Sequence, residues 1–127
     1  MPSPGAPPAG CRVVIVEDEW FLANDLQVAL QSFGAEAIIT LVGDLDDARA
    51  QLGSGEFDIG IIDINLRGHN ALGIADELQR QRIPFIFATG YSAEVIPERF
   101  ANVTRWEKPF NPHKLARYVL QLWHRGN

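Results

Sequence analysis

Apolar residues fall along this chain in two alternating rhythms. Short unbroken runs, Val13-Val14-Ile15-Val16, Ile59-Gly60-Ile61-Ile62 and Phe85-Ile86-Phe87-Ala88, are separated by stretches in which apolar positions recur every three or four residues. An unbroken run suits a strand buried on both faces of a parallel sheet, and the wider spacing suits an amphipathic helix. The first strand is predicted over about Arg12 to Glu17. Leu22, Leu26, Ala29, Leu30 and Phe33 then line one face of a first helix that Gly34 stops. Glu36 to Leu41 reads as a short β-branched second strand, and Asp44 caps a second helix carrying Leu45, Ala48 and Leu52, ended by Gly53-Ser54-Gly55. The third strand covers about Asp58 to Ile62. A loop from Asp63 to Asn70 follows, then a third helix with Ala71, Ile74, Ala75 and Leu78 inward, and Pro84 separates it from the fourth strand. Ser92 to Phe100, interrupted by Pro97, predicts a weak or irregular fourth helix. A fifth strand over about Val103 to Glu107 precedes Asn111-Pro112, a cap followed by proline at the first helical position. The fifth helix, with Leu115, Val119 and Leu122 inward, closes near His124.

Strands alternating with helices predict right-handed crossovers and a parallel sheet. The expected fold is α/β: a flavodoxin-like (βα)5 doubly wound parallel five-stranded sheet with strand order 2-1-3-4-5. A chain of 127 residues has room for one core and no second domain. Residues 1–10 hold four of the eight prolines and are expected to form a disordered leader to a domain spanning 11–125. A formal charge of -5, with 16 acidic residues scattered among 11 basic ones, argues against nucleic acid as partner. The single cysteine, Cys11, has no internal disulfide partner and suits a reducing compartment. No stretch has the length of a membrane span or the plan of a signal peptide, so the expected setting is cytoplasmic.

The candidate chemistry gathers where strands end. The first strand delivers Glu17, Asp18 and Glu19, the third Asp63, the fourth Thr89, and the fifth Lys108-Pro109. In an open α/β sheet these carboxyl ends share one edge, where such folds place their sites. Each close pair among Glu17, Asp18 and Asp63 would repel by roughly 4 kcal/mol at 4 Å under an effective dielectric constant of 20, so the cluster asks for a cation. Oxygen ligands alone suit Mg²⁺. Its charge neutralised, a carboxylate can attack phosphorus and form an aspartyl phosphate, with Lys108 and Thr89 supplying groups that stabilise the moving phosphoryl oxygens. Glu19 reads as a solvated acidic start to the first helix, favoured by the helix dipole.

Glu17-Asp18, Asp63, Thr89 and Lys108-Pro109, in that order and each after an apolar strand, resemble the receiver domain of two-component response regulators. The match spans about Arg12 to Arg125. The resemblance implies that Asp63 accepts phosphate from a histidine kinase or histidine phosphotransfer protein. Asp18, Asp63 and the backbone carbonyl of Asn65 would ligate Mg²⁺, with Glu17 acting through water, while Thr89 and Lys108 bind the phosphoryl oxygens. The bond before Pro109 would be cis, and phosphorylation would rearrange the face of the fourth helix, fifth strand and fifth helix to alter binding of a downstream protein target. Such a chain is a switch rather than an enzyme, phosphorylating and dephosphorylating itself in cis only, as a monomer or a phosphorylation-dependent dimer.

Departures from the family pattern are informative. Arg67 stands where many receivers have proline, and Arg105 where the switch aromatic often sits, so Tyr91 or Trp106 is the candidate replacement. Phe87-Ala88-Thr89-Gly90 followed by Tyr91 is similar to the subgroup nicknamed FAT GUY. Asn65 and Tyr91, two residues after Asp63 and Thr89, fall at positions that tune phosphoryl loss in the family, and a bulky Tyr91 implies slow self-dephosphorylation. The second reading is a phosphorylation-independent receiver-like interaction module. A phosphatase using an aspartyl intermediate is disfavoured, because Asn65 stands where such enzymes usually carry a second acid.

Overall fold

The apolar runs assemble into one parallel sheet wrapped on both faces by helices. A computed structural model of the chain describes residues 11–33, 38–42, 44–54, 57–66, 69–90 and 96–126. The elements are β1 (Arg12–Val16), α1 (Trp20–Ser32), β2 (Ile38–Val42), α2 (Leu45–Ser54), β3 (Ile59–Ile62), β4 (Asn65–Leu66), β5 (His69–Asn70), α3 (Leu72–Arg80), β6 (Phe85–Thr89), a 3-10 turn (Glu98–Phe100), β7 (Arg105–Glu107) and α4 (Pro112–Gly126). The main sheet runs β2-β1-β3-β6-β7 with every pairing parallel. With the β4–β5 hairpin set aside, that is the order 2-1-3-4-5.

Alternation along each strand sorts the core into two halves. Val14, Val16, Ile62, Phe85 and Phe87 meet α2, α3 and the 3-10 turn on one face. Val13, Ile15, Ile59, Ile61, Ile86 and Ala88 meet α1 and α4 on the other. Strands buried on both sides read as continuous apolar runs for this reason. Gly60 lies in the row Val14–Gly60–Phe85. A methyl group there would come within 3.0 Å of Leu78 Cδ1, so the missing side chain makes room for α3.

Helix caps follow the sequence. Asp44 Oδ1 accepts the Asp47 amide at 2.8 Å, and Asn111 Oδ1 accepts the Lys114 amide at 3.1 Å. In the expected loop after Asp63, a two-stranded antiparallel hairpin pairs Asn65 with Asn70 and Leu66 with His69. Leu66 anchors it at 1% exposure, and the Ala71 amide closes it onto the Ile64 carbonyl. Strands of two residues are too short to show a period, which is why the sequence reads as a loop.

The expected fifth strand is shorter than read. Val103 belongs to the preceding turn, its amide bonded to the Phe100 carbonyl, and pairing with β6 begins at Arg105. In the expected fourth-helix segment, the 3-10 turn after Pro97 is the helical element among the described residues. Residues 1–10, the Gly34 stop, the start of the second strand at Glu36, Arg67, and the segment Tyr91 to Val95 lie outside the described residues.

Candidate functional site

The ends of four strands bring Glu17, Asp18, Asp63, Thr89 and Lys108 to one edge of the sheet. Asp63 follows β3, and its amide still bonds to the Val16 carbonyl at 2.8 Å, which keeps its carboxylate beside Glu17 and Asp18. Lys108 follows β7, and its amide bonds to the Thr89 carbonyl at 2.8 Å, so β6 and β7 deliver hydroxyl and ammonium together. The Lys108–Pro109 bond is cis. Asp18, Asp63, Asn65, Thr89, Lys108 and Pro109 line an open cleft of about 660 Å³.

Inside the cleft a cation and several carboxylates are already paired. Lys108 Nζ lies 2.8 Å from Glu17 Oε1, 2.7 Å from Glu19 Oε2 and 3.1 Å from Asp63 Oδ2. Asp63 Oδ1 accepts the Asn65 amide at 3.2 Å, and Glu17 Oε2 accepts the Glu19 amide at 3.1 Å. Glu17, Asp63 and Thr89 are each buried, at 5%, 5% and 3% exposure. Burial pushes the Glu17 carboxyl up to about 7, against the pull of Lys108 and of the Glu19 amide, with Asp63's charge adding to the rise. Burial alone would lower the Lys108 ammonium, but its bonds and charge pairing with Glu17, Glu19 and Asp63 outweigh that and hold it above its usual range.

One carboxylate oxygen each from Glu17, Asp18 and Asp63 lie within 4.8 Å of one another. An all-oxygen set of this size, partly open to solvent, matches what a hard divalent ion such as Mg²⁺ takes, and the set holds neither the thiolate nor the imidazole that zinc favours. The donors therefore fit the ion the sequence implied.

The expected switch positions fall on different sides of β7. Arg105 pairs across the sheet with Phe87 and is exposed, 3.4 Å from Glu107 Oε1. Trp106 pairs with Ala88 and turns to the opposite face, its ring 6.5 Å from Phe110 and 5.8 Å from Tyr118. Tyr91 lies outside the described residues.

Glu19 adds to the sequence reading. It is the solvated helix start expected, at the N-cap of α1, and its carboxylate is also a partner of Lys108. The sequence signal was present: a third consecutive acid stands at the helix cap, where glutamate lacks the short reach of Ser, Asp or Asn. Its partner, 89 residues away, was what the sequence could not show.

Comparison with known proteins gives the family and the fold. Residues 13–120 match the family described as response regulator receiver domain. Among curated proteins, the sensory transduction protein RegX3 of Mycolicibacterium smegmatis is 36% identical over 84 residues, covering 65% of this chain and 36% of that protein. The aerobic respiration control protein ArcA of Escherichia coli is 32% identical over 111 residues, covering 83% of this chain and 45% of that protein. This chain thus spans less than half the length of either relative. Among solved structures, SdrG from Sphingomonas melonis Fr1 superposes with a TM-score of 0.74 at 32% identity, covering 89% of this chain and 95% of that one.

Proposed function

The chain belongs to the response regulator receiver domain family, and on that premise we propose that Asp63 is the phosphoacceptor of a two-component or phosphorelay system. The observation that carries the reading is the meeting of Asp63 with Glu17, Asp18, Thr89 and Lys108 at one sheet edge. Phosphate would come from a histidine kinase or histidine phosphotransfer protein. An Asp63 carboxylate oxygen forms the bond to phosphorus as the phosphorus–nitrogen bond of the donor's phosphohistidine breaks. The electron pair returns to the imidazole nitrogen, which takes up a proton.

Each residue has a part in that transfer. Lys108 faces the charge that builds on the phosphoryl oxygens, and the Thr89 hydroxyl donates to one of them. Asp18, Asp63 and the Asn65 carbonyl would hold Mg²⁺, with Glu17 acting through water. Bound there, the ion supplies positive charge that offsets repulsion between the carboxylates and the incoming phosphoryl group. The reaction is self-catalysed and in cis, which makes the chain a switch rather than an enzyme.

Output would leave through the 3-10 turn, β7 and α4. Trp106, seated against Phe110 and Tyr118, couples β7 to α4, while Arg105 presents a cation on the Phe87 side of the strand. A downstream protein recognising that face, a cytoplasmic setting, and a monomer or phosphorylation-dependent dimer complete the proposal. Among the described residues no helix is long and apolar enough to cross a membrane.

The test is intact mass after incubation with acetyl phosphate and Mg²⁺. One labile phosphoryl adduct is expected on the wild type, and none on Asp63→Ala or without metal. An adduct that persists in Asp63→Ala would overturn the assignment. Arg105 in the usual aromatic position favours a second reading, an interaction module independent of phosphate. Full partner binding by Asp63→Ala, unchanged by beryllofluoride on the wild type, would select it.

A further inference from the structure

Glu19 has no part in the transfer described above, yet its carboxylate makes the shortest of the three contacts to Lys108. A lysine ammonium carries three protons and no more. Glu17, Glu19 and Asp63 each stand within bonding distance, so the resting site already engages them all. An anion held on Asp63 needs at least one of these donors, and one carboxylate must give way.

The three carboxylates are not equally free to leave. Glu17 and Asp63 are buried and belong to the oxygen cluster with Asp18. The Glu19 side chain is 61% exposed and rotates into water without desolvation cost. Its backbone also marks it out. Glu19 is the N-cap of α1, at φ -81° and ψ 99°, but its side chain bonds none of the helix amides. The carboxylate is turned away from the cap role and across to the loop after β7.

We propose that Glu19 is a positioning residue that competes with the phosphoryl group for Lys108. It holds the ammonium in the resting chain and releases it when an anion is seated on Asp63, freeing the start of α1. The proposal rests on Asp63 being the phosphoacceptor, and it adds a regulatory contact to that site.

Beryllofluoride with Mg²⁺, titrated into wild type, Glu19→Gln and Glu19→Asp, provides the test. Glutamine removes the charge. Aspartate keeps the charge, is one methylene too short for the contact, and is a good helix cap. Because a contact this exposed is weak, both variants are expected to bind about threefold more tightly than wild type. Nitrogen-15 NMR of the Lys108 Nζ should show faster proton exchange in both variants before any anion is added, a signature that altered folding of α1 alone would not produce. Tightening in Glu19→Gln with wild-type affinity in Glu19→Asp would mean simple charge repulsion and overturn the proposal. Unchanged affinity in both would overturn it while leaving Asp63 as the acceptor. Failure of the wild type itself to bind beryllofluoride would remove the acceptor reading and this inference with it.

Discussion

A single ammonium offsets two buried carboxylates, and that is where stability and function meet most directly. Lys108 is 17% exposed, and Glu17 and Asp63 have almost no water to turn to if it is removed. Lys108→Met is therefore expected to lower unfolding free energy by about 3 kcal/mol at neutral pH without metal, the usual cost of breaking a buried pair from one side. Mg²⁺ should recover much of that loss, because it neutralises the same oxygens. Urea denaturation of both proteins with and without Mg²⁺ gives the four stabilities. A deficit that is the same in both conditions would mean that metal and lysine act at separate places. Most of the residues that meet here were legible one by one, because Glu17-Asp18, Asp63 and Thr89 follow apolar runs and Lys108 stands in a Lys-Pro pair after the last strand. Glu19 was not, since its role depends on a partner 89 residues further along the chain.

At the level of elements, local signals and long-range packing divided the work. Asp44 and Asn111 announce helix starts by their chemistry, and both side chains accept the expected amides. The 3-10 turn has no such local signal. Phe100 fixes it from a distance, at 1% exposure and edge-on to Phe85 and Phe87 with ring centroids 6.0 and 5.6 Å away. Phe100→Ala should cost about 3 to 5 kcal/mol, the range for removing a buried phenylalanine, whereas Asn111→Ala should cost about 1 kcal/mol. Equal losses in chemical denaturation would mean the turn is held by its backbone rather than by the ring. Gly60→Ala is a sharper trial of the sheet. The added methyl would press on Leu78 Cδ1 at 3.0 Å, and Leu78 is fully buried with little space to retreat. A loss of about 1 to 3 kcal/mol is expected, and a neutral or stabilised variant would show that α3 lifts easily from the sheet. The β4–β5 hairpin and the late start of β7 escaped the sequence for one reason: both are set by pairing between segments too short to carry a period.

For the whole molecule, the deciding feature is a set of inner strands buried on both faces, with the buried carboxylates, Glu17 and Asp63, held at one edge. Cys11, just ahead of the inner strand β1, reports on that burial because it is completely buried against the α1 and α4 side. Burial, with a smaller contribution from the nearby Asp58 carboxylate, pushes its thiol from 9.0 up to about 12. The folded chain therefore holds this proton to higher pH than the unfolded chain does. Between about 9 and 12 the unfolded state binds fewer protons, so stability from this group is complete below pH 9 and is lost as pH rises through that window. Cys11→Ala should flatten the alkaline part of the stability profile relative to wild type, whatever its effect at neutral pH. The same burial predicts that a thiol reagent at pH 8 reaches Cys11 only when the fold opens. Labelling should be fast in urea and slow in buffer, with a slope against denaturant matching global unfolding. Labelling in buffer as fast as in urea would mean that β1 frays at its start without the rest of the sheet, and the edge carrying Glu17 and Asp18 would then be held by β3 rather than by its own strand.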